Sequence, residues 1–305
     1  MLVRHLSYFV TLAREKHYAR AAEACNIAQP TLSAAIRKLE DDLQVHLVVR
    51  SHRFVGLTPD GEKVLEWGRQ ILTDYTSLRE DLTGLRQGLT GTLRLGVIPT
   101  AMPATPFLTA RFAAAHPSAS ISIRSMTSQA IQDGIDAFEI DGGLTYLDNE
   151  PLANLRRVPL YQERYVFVTR RGNRHSDRTT LTWAEALQEP LCLLSDDMQN
   201  RRILNRIAAG AGLPIHAAVV SNSFLGIWAH IAQGVWSSIV PYTFSYLLGQ
   251  SSDLMMAELV EPVESQSIGL VLSNRVPPSP VAAALLAVAS NVDLQDDLVR
   301  ATNRA

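Results

Sequence analysis

The chain has 305 residues, with 28 Lys or Arg, 30 Asp or Glu and a formal net charge of −2. This length suits two or three domains, and 47% hydrophobic residues suffice for packed cores. The near-neutral charge argues against an indiscriminate polyanion binder, and no apolar run approaches the ~20 residues that a membrane helix needs. Residues 1–57 carry eight basic against five acidic side chains, which is typical of phosphate binding but also arises by chance.

Residues 21–40 predict two short helices joined by a tight turn. Ala21 and Ala22 allow a neighbouring helix to approach closely, and Asn26 tolerates the left-handed backbone of a turn. Pro30 suits the first turn of a helix, because its missing N–H would have no helical partner there. The second helix carries an apolar stripe at three- and four-residue spacing, formed by Leu32, Ile36, Leu39 and Leu43.

The opposite face of the second helix is polar and then cationic, with Gln29, Thr31, Ser33, Arg37 and Lys38. In a helix-turn-helix, residues at the start of the second helix reach base edges and cations bind phosphate. The spacing of Leu6, Phe9, Val10 and Ala13 predicts a preceding helix that covers the pair. An ordinary amphipathic helical hairpin would show the same pattern, so this stretch alone leaves both interpretations open.

A long helix is predicted after residue 58, because Thr58 can cap it and Pro59 can start it. Its apolar residues follow the alternating four- and three-residue spacing of a heptad seam: Ile71, Tyr75, Leu78, Leu82, Leu85 and Leu89. One narrow stripe on so long a helix requires a partner. That partner is either a second copy of the helix or the chain's own C-terminal domain.

From residue 91 onward, predicted strands and helices alternate. The strands are expected at 92–98, 120–126, 142–147, 165–170, 191–194, 217–222 and 268–274, and the helices at 103–116, 128–139, 183–187, 200–210, 224–233 and from 280. This alternation predicts a mostly parallel sheet with helices on both faces. Ligands in such folds lie beyond the carboxyl ends of the strands, where helix N-termini point.

Residues 13–61 as a whole resemble the N-terminal winged helix-turn-helix of the LysR-type transcriptional regulators. The matching positions are Ala21, Ala22, Gln29, Pro30, Ser33, Ile36, Leu39, Glu40, Leu43, Leu47, Arg50, Leu57, Thr58 and Gly61. Three positions depart from the pattern: Cys25 replaces a common leucine, Gln44 a common glycine and Val48 a common phenylalanine. Gln44 suggests that the turn after the second helix differs slightly.

The resemblance implies an α/β fold with a helix-rich winged helix-turn-helix head, a long linker helix and a two-lobe effector domain like a periplasmic binding protein. The expected boundaries are 1–58 for the DNA-binding domain, 59–89 for the linker or dimerisation helix and 90–305 for the effector domain. Lobe one is expected at 91–162 and 267–305, and lobe two at 163–266.

The resemblance also implies site residues. Gln29, Pro30, Thr31, Ser33 and Arg37 would place and form the base-reading surface, with Pro30 setting the helix start. Arg50, His52 and Arg53 would form a wing on the DNA backbone or minor groove. The effector would contact residues at strand ends and helix starts in the cleft: Pro99, Thr100, Met102, Thr127, Ser128, Gln129, Thr145, Asn222 and Ser223. Hydroxyl groups at helix N-termini favour a small anion.

Each assignment has a plainer alternative. Thr100 and Ser128 could be helix caps only, and His17 could cap the second helix of the head instead of binding phosphate. Arg201 and Arg202 could clamp a carboxylate, although a solvated helix face is the simpler interpretation. Four aromatic residues are assigned to the core in preference to ligand stacking: Tyr146, Phe167, Phe224 and Trp228.

The two cysteines, Cys25 and Cys192, fall in different predicted domains, which indicates a reducing, cytoplasmic setting and no structural disulfide. Cys192 is expected to be buried in a strand. The sequence shows no GxSxG, P-loop, HExxH or CxxC motif, so catalytic residues, a metal site and a cofactor are not predicted.

The resemblance implies a regulator that binds an operator as a homodimer or homotetramer, bends the DNA, meets RNA polymerase and responds to a small carboxylate-like effector. The whole chain also vaguely resembles regulators associated with formate dehydrogenase operons, which makes formate a candidate. The alternative function is a small-molecule binding protein or an α/β enzyme with a helical head that does not bind DNA.

Overall fold

A computed structural model of the chain describes residues 2–49, 53–148, 152–245 and 253–302, without the side chains of residues 80, 81, 83–87 and 302. The chain divides into two compact units, Met1–Leu89 and Thr90–Ala305. Among the described residues, no helix is both long enough and apolar enough to cross a membrane.

The first unit is helical. Its helices are α1 (Leu2–Glu15), α2 (Tyr18–Ala24), α3 (Gln29–Leu43) and α4 (Pro59–Gln87). The apolar stripe of α3 faces inward, where Leu32 and Leu39 are fully buried against Phe9 and Leu12 of α1. The small residues Ala21 and Ala22 are buried as well, so α2 can lie close to α1 and α3. The predicted helix-turn-helix is therefore present, with a covering first helix.

Two turns of the first unit use the left-handed backbone conformation. Asn26, between α2 and α3, has a φ of 54°, as its residue type predicts. Gln44, the C-cap of α3, has a φ of 57°, and its side-chain Nε2 donates to the Asp41 carbonyl at 2.7 Å. The expectation that Gln44 alters this turn is thus wrong. The turn keeps the conformation that a glycine would adopt, and a strained glutamine occupies it.

The second unit contains two main sheets. The first has the order β2-β1-β3-β11-β4, from strands β1 (Gly91–Val97), β2 (Ala119–Ser125), β3 (Gly142–Tyr146), β4 (Leu155–Glu163) and β11 (Gln266–Ser273). The second has the order β6-β10-β5-β9, from β5 (Tyr165–Arg170), β6 (Thr180–Thr182), β9 (Ser238–Pro241) and β10 (Leu254–Val260). A short parallel pair, β7 (Leu191–Leu194) and β8 (Ala217–Ser221), completes lobe two.

Helices surround these sheets. They are α5 (Thr105–Ala115), α6 (Ser128–Asp136), α7 (Trp183–Ala186), α8 (Gln199–Gly210), α9 (Phe224–Gln233), α10 (Pro280–Ser290) and α11 (Leu294–Thr302). The last two return to lobe one, where α10 packs on α5 and β1, and α11 packs on β4. The chain crosses between the two main sheets at Arg164 and again at residues 261–265. This double crossing produces the predicted two-lobe architecture.

The expectation of a mostly parallel sheet is wrong for the four-stranded sheet of lobe two. Strand β5 runs antiparallel to both β9 and β10 there, while β6 pairs with β10 in parallel; the separate pair β7 and β8 is parallel. In lobe one, β1 is parallel to β2 and β3, but β11 is antiparallel to β3 and β4. The reason is the double crossing, because a strand that returns from the other lobe enters its sheet in the opposite direction.

Candidate DNA-binding helix and effector cleft

Helix α3 presents its polar residues to solvent. Gln29, Thr31 and Arg37 are exposed and Ser33 is half-buried, while Ala35 and Ile36 on the opposite side are buried. Arg37 Nε donates to the Ser33 carbonyl at 3.4 Å, which holds the guanidinium along the helix. Pro30 lies in the first turn, and the N-cap Ala28 makes no side-chain capping bond. The N-terminal half of α3 thus offers hydrogen-bonding side chains on a rigid support.

The segment after α3 is fixed by a single carboxylate. Glu40 Oε1 accepts from the backbone N–H groups of Leu47 at 2.7 Å and Val48 at 3.3 Å. A short antiparallel hairpin follows, in which Val48 bridges to Leu57 and the Val49 N–H donates to the Gly56 carbonyl. The predictions had no role for Glu40 beyond its match to the family pattern. Its partners Leu47 and Val48 lie seven and eight positions after it. A helical periodicity in the sequence does not reveal a contact at that separation.

The hairpin carries part of the predicted wing. Arg53 is exposed, whereas Arg50 and His52 lie outside the described residues. Thr58 caps α4 by accepting from the Gly61 N–H at 2.9 Å. A side chain at Gly61 would collide with the Leu47 carbonyl, so a glycine is required where α4 meets the hairpin. His17 caps α2, with its Nδ1 accepting from the Arg20 N–H at 3.4 Å.

Helix α4 exposes an apolar stripe. Leu78 and Leu82 are 56% and 57% exposed, and Ile71 and Tyr75 are also exposed. Leu89 is half-buried, and the side chain of Leu85 lies outside the described set. Trp67, which the predicted seam did not include, is exposed four residues before Ile71 and extends the stripe. Such a row of large apolar side chains in water is typical of a surface that pairs with another helix.

A cavity of about 640 Å³ opens between the two lobes. Lobe one contributes the single turn that follows β1 and the end of β2, and lobe two contributes the starts of α8 and α9. Five of the nine predicted effector residues line it: Pro99, Met102, Thr127, Asn222 and Ser223. Thr127 and Ser223 are the N-caps of α6 and α9, so two helix N-termini face the same space.

Two more of the predicted residues, Ser128 and Thr145, belong to a buried hydrogen-bonded group beside this cavity. Thr145 Oγ1 donates to Ser128 Oγ at 3.1 Å, and Ser128 Oγ donates to Gln199 Oε1. Gln199 Nε2 donates in turn to the Asp148 carbonyl at 3.3 Å. Gln199 starts α8 in lobe two, whereas Ser128 and Thr145 belong to lobe one. The Gln199 amide therefore joins the two lobes, a role that the sequence analysis missed.

A second connection lies next to the first. Asn200 Nδ2 of lobe two donates to the Tyr146 hydroxyl at 3.2 Å, and that hydroxyl donates to Glu163 Oε1 at 2.6 Å. Thr100 is buried beside Tyr146 without a hydrogen bond of standard geometry. Burial raises the pKa of the Glu163 carboxyl to about 8, and Tyr146 and Tyr165 beside it oppose that rise. Glu163 is thus a neutral buried acid at the crossing point between the lobes at pH 7.

Two family models match most of the chain. Residues 3–62 match the bacterial regulatory helix-turn-helix protein family lysR, and residues 86–292 match the LysR substrate binding domain. The chain belongs to the LysR family. It is a DNA-binding transcriptional regulator with an effector-binding domain, and several of its relatives are regulators of the OxyR type.

Three LysR proteins illustrate the similarity. The chain is 26% identical over 274 residues to the DNA-binding transcriptional dual regulator OxyR of Escherichia coli, covering 89% of each protein. It is 30% identical over 293 residues to the SDS degradation transcriptional activation protein of a Pseudomonas species, covering 93% of this chain and 94% of that protein. A full-length OxyR variant from Pseudomonas aeruginosa superposes with a TM-score of 0.76 at 24% identity, covering 97% of both chains.

Some predicted residues of this LysR protein lie away from the cavity. Gln129 is exposed and donates to Asp133 Oδ1 at 2.8 Å along α6. Arg201 is buried, contrary to the expected solvated face, because its guanidinium donates to the Leu194 carbonyl and to Asn205. Arg202 is exposed, and its Nη1 donates to the Asp197 carbonyl at 2.7 Å.

The aromatic and cysteine assignments have mixed outcomes. Tyr146 and Phe167 are fully buried, as predicted. Phe224 was assigned to the core, but it lines the cavity, with its ring centroid 4.2 Å from that of Phe244. Cys192 is buried in β7, as predicted, and neither it nor Cys25 forms a disulfide.

Proposed function

We propose that this LysR protein reads its operator with the exposed face of α3. Gln29, Thr31, Ser33 and Arg37 would contact base edges in the major groove, because they lie in the N-terminal two-thirds of the second helix of the motif. Arg53, with Arg50 and His52, would contact the sugar–phosphate backbone or the minor groove. The supporting observation is the division of α3 into one buried apolar side and one exposed polar side.

We propose further that the stripe on α4 pairs with the same stripe of a second copy. Its members are Ile71, Tyr75, Leu78, Leu82, Leu85 and Leu89. A homodimer would carry two α3 helices and would bind a palindrome whose half-sites lie on one face of the duplex. A homotetramer with four such helices would bend the DNA and could contact RNA polymerase while bound.

The effector, in this proposal, is a small anion that binds between the lobes. The N-termini of α6 and α9 face the cavity, and both backbone N–H groups and the helix dipole attract negative charge. The pairs Ser128–Gln199 and Tyr146–Asn200 hold the lobes together, so an effector that competes with them or adds to them would shift lobe closure. A change in closure would alter the spacing of the heads and the bend of the DNA.

The class of effector is narrowed by the cysteines. Relatives of this chain are named hydrogen peroxide-inducible genes activators, and another relative is named for the degradation of SDS. This chain has two cysteines, and they lie in separate units, with Cys192 fully buried. A disulfide within the effector domain would need two cysteines there. We therefore favour a reversibly bound carboxylate-like ligand, with formate as its smallest member, and action in the cytoplasm without catalysis.

The base-reading proposal is tested by gel shift on the DNA upstream of the chain's own coding sequence. Arg37→Ala and Gln29→Ala should each weaken the preference for this DNA over a shuffled duplex by roughly 5- to 150-fold, the effect of about 1–3 kcal/mol per base contact. Arg14→Ala is the matched control, because Arg14 is an exposed cation on α1. An unchanged preference in both α3 variants would contradict the assignment.

A further inference from the structure

The two oxygens of the buried Glu163 carboxyl have different surroundings. Oε1 accepts from the Tyr146 hydroxyl at 2.6 Å, whereas Oε2 is enclosed without a hydrogen bond to any described residue. The Tyr165 hydroxyl lies beside the carboxyl, but within the described part of the chain it forms no hydrogen bond of standard geometry. Burying a charge costs far more than burying a neutral acid, so this place suits the protonated carboxyl.

The Glu163 carboxyl belongs to a chain of contacts that crosses from one lobe to the other. Asn200 Nδ2 of α8 donates to the Tyr146 hydroxyl at 3.2 Å, and that hydroxyl donates to Glu163. Asn200 belongs to lobe two, whereas Tyr146 and Glu163 are the last residues of β3 and β4 in lobe one. Arg164, the next residue, begins the crossing to lobe two. The charge of one carboxyl therefore acts directly on a contact between the lobes.

The titratable groups around this carboxyl are phenols and arginines. Tyr146 faces it from β3 and Tyr165 from β5, and burial raises the pKa of both hydroxyls well above 10. Burial also raises the pKa of Tyr242, which follows β9. The remaining members are Tyr161 of β4 and two permanent cations that act on these phenols, Arg164 and Arg206. Within this set, Glu163 is the group whose charge changes near neutral pH.

Loss of the proton would place a negative charge where the lobes meet. The carboxylate would keep the Tyr146 donor at Oε1, but its Oε2 would have neither a donor nor water. Water reaches Oε2 when the lobes separate there, which breaks the Asn200–Tyr146 bond. In that hydrated arrangement the pKa of Glu163 returns toward its ordinary value of 4.5, whereas burial holds it at about 8 in the connected one. The connected arrangement therefore binds the proton more tightly.

We propose that the Glu163 proton is a second input of this regulator, bound while the Tyr146–Asn200 connection joins the lobes and released to water when that connection opens. The ratio of connected to open molecules should fall by up to ten-fold per pH unit between about pH 4.5 and 8. The effect of this opening on operator binding rests on the proposed function, whereas the response of the lobes to pH does not.

Infrared difference spectra of the full-length chain between about pH 5.5 and 9.5 test the proton directly. The wild-type chain should lose one protonated-carboxyl band with a midpoint between about pH 6 and 8, and Glu163→Gln should lack this band. Glu258→Gln is the matched control that should keep it, because Glu258 is an exposed acid on β10. A wild-type chain without such a band would overturn the inference.

Pulsed electron paramagnetic resonance measures the separation of the lobes. Spin labels at Gln129→Cys on α6 and Arg202→Cys on α8 occupy exposed positions in the two lobes, in a Cys25→Ser chain diluted with unlabelled protein. The label distance should lengthen from about pH 6 to pH 9, and Glu163→Gln should keep it short throughout. Asn200→Ala lacks the connection, so it should show the long distance at every pH. It should also lower the carboxyl midpoint by at least about one pH unit, because linkage is reciprocal.

Three results would overturn the inference. These are a label distance that ignores pH, a pH-dependent distance that Glu163→Gln retains, and an unchanged carboxyl midpoint in Asn200→Ala. If Glu163→Gln does not fold, the midpoint of Asn200→Ala decides alone.

Gel shifts of the same preparations separate this inference from the proposed function. Operator binding that ignores pH, beside lobes that respond to it, refutes the coupling of lobe closure to DNA and leaves the proton site in place. Loss of selective binding by the wild-type chain at every pH refutes the base-reading proposal itself.

Discussion

The base-reading helix and the effector cleft differ in how the chain supplies their residues. Helix α3 keeps its structural residues on one side and its exposed polar residues on the other, within one continuous segment of fifteen residues. The cleft gathers short pieces from both lobes, and the polar residues beside its lining are buried and bonded to each other across the lobes. Substitutions on α3 should therefore alter DNA recognition alone, whereas substitutions in the cleft should alter both stability and response.

The largest effect is expected from disrupting the proposed pairing between the α4 helices of two copies. Leu78→Asp with Leu82→Asp puts charges into the exposed stripe of α4 and should convert dimers to monomers by light scattering. Operator affinity should fall by more than about 100-fold, because one half-site contact then acts alone. Thr76→Asp, on another face of the same helix, should leave the dimer intact. A dimer that persists in the double variant would contradict the seam.

The next largest effect is expected at Glu163, the buried acid at the lobe crossing, and it concerns how stability depends on pH. Its pKa is raised from 4.5 to about 8 in the folded chain, so Glu163 binds a proton that the unfolded chain has lost at neutral pH. The stabilisation of the folded state by this bound proton is complete below about pH 4.5 and is lost as the pH rises to about 8. It amounts to at most roughly 5 kcal/mol.

Glu163→Gln should remove this pH dependence, since a neutral amide can still accept from the Tyr146 hydroxyl. Urea unfolding of the effector domain in the full-length chain, measured at pH 5, 7 and 8.5, should show a gain over wild type that grows with pH. Parallel curves for the two proteins would mean that Glu163 is already ionised in the folded state.

A smaller effect is expected at the contact between the lobes. Ser128→Ala leaves Gln199 Oε1 without its donor in a buried place, which should lower the unfolding free energy by about 1–3 kcal/mol and blunt the effector response. Basal operator binding should not change. Gln129→Ala, the neighbouring exposed residue bonded to Asp133, is the control. Equal behaviour of the two variants would show that the Ser128 hydroxyl does not connect the lobes.

The smallest predicted effect concerns the head. Gln44→Gly relieves a left-handed backbone at the end of α3 and should stabilise the chain by about 0.5 kcal/mol, after the entropy of the unfolded glycine is deducted. Ala34→Gly, in the right-handed part of the same helix, should destabilise by about 1 kcal/mol. Thermal unfolding of both variants checks the opposite signs. A destabilising Gln44→Gly would mean that the Gln44–Asp41 bond outweighs the backbone strain.

The sequence predicts the head better than the cleft, for a physical reason. The residues of α3 follow one another with a 3.6-residue period, and its start at Pro30 and left-handed turn at Asn26 depend on local chemistry. Strands β4, β6, β9 and β10 were missed. Strand β4 contains Pro159 and two arginines, β6 and β9 are three and four residues long, and β10 is rich in methionine without a clear alternation. Gln199 was missed because its partner Ser128 lies 71 positions away.

The cleft was predicted in part because helix starts carry a sequence signal. Thr127 and Ser223 were identifiable as caps next to strand ends, and both line the cavity. Gln129 carries the same signal by position but points along the surface of α6, because side-chain direction depends on helix phase. The methionines of the cavity lining have no such signal, since Met102, Met126 and Met198 come from three separate segments that only the fold brings together.

The central claim is that α3 decodes DNA sequence, and equilibrium fluorescence anisotropy of the full-length wild-type chain tests it most directly. The two duplexes are the DNA upstream of its own coding sequence and a shuffled duplex of equal length and composition, in about 0.15 M salt. The account predicts at least a 100-fold tighter complex with the upstream DNA. Equal affinity for the two duplexes would contradict it.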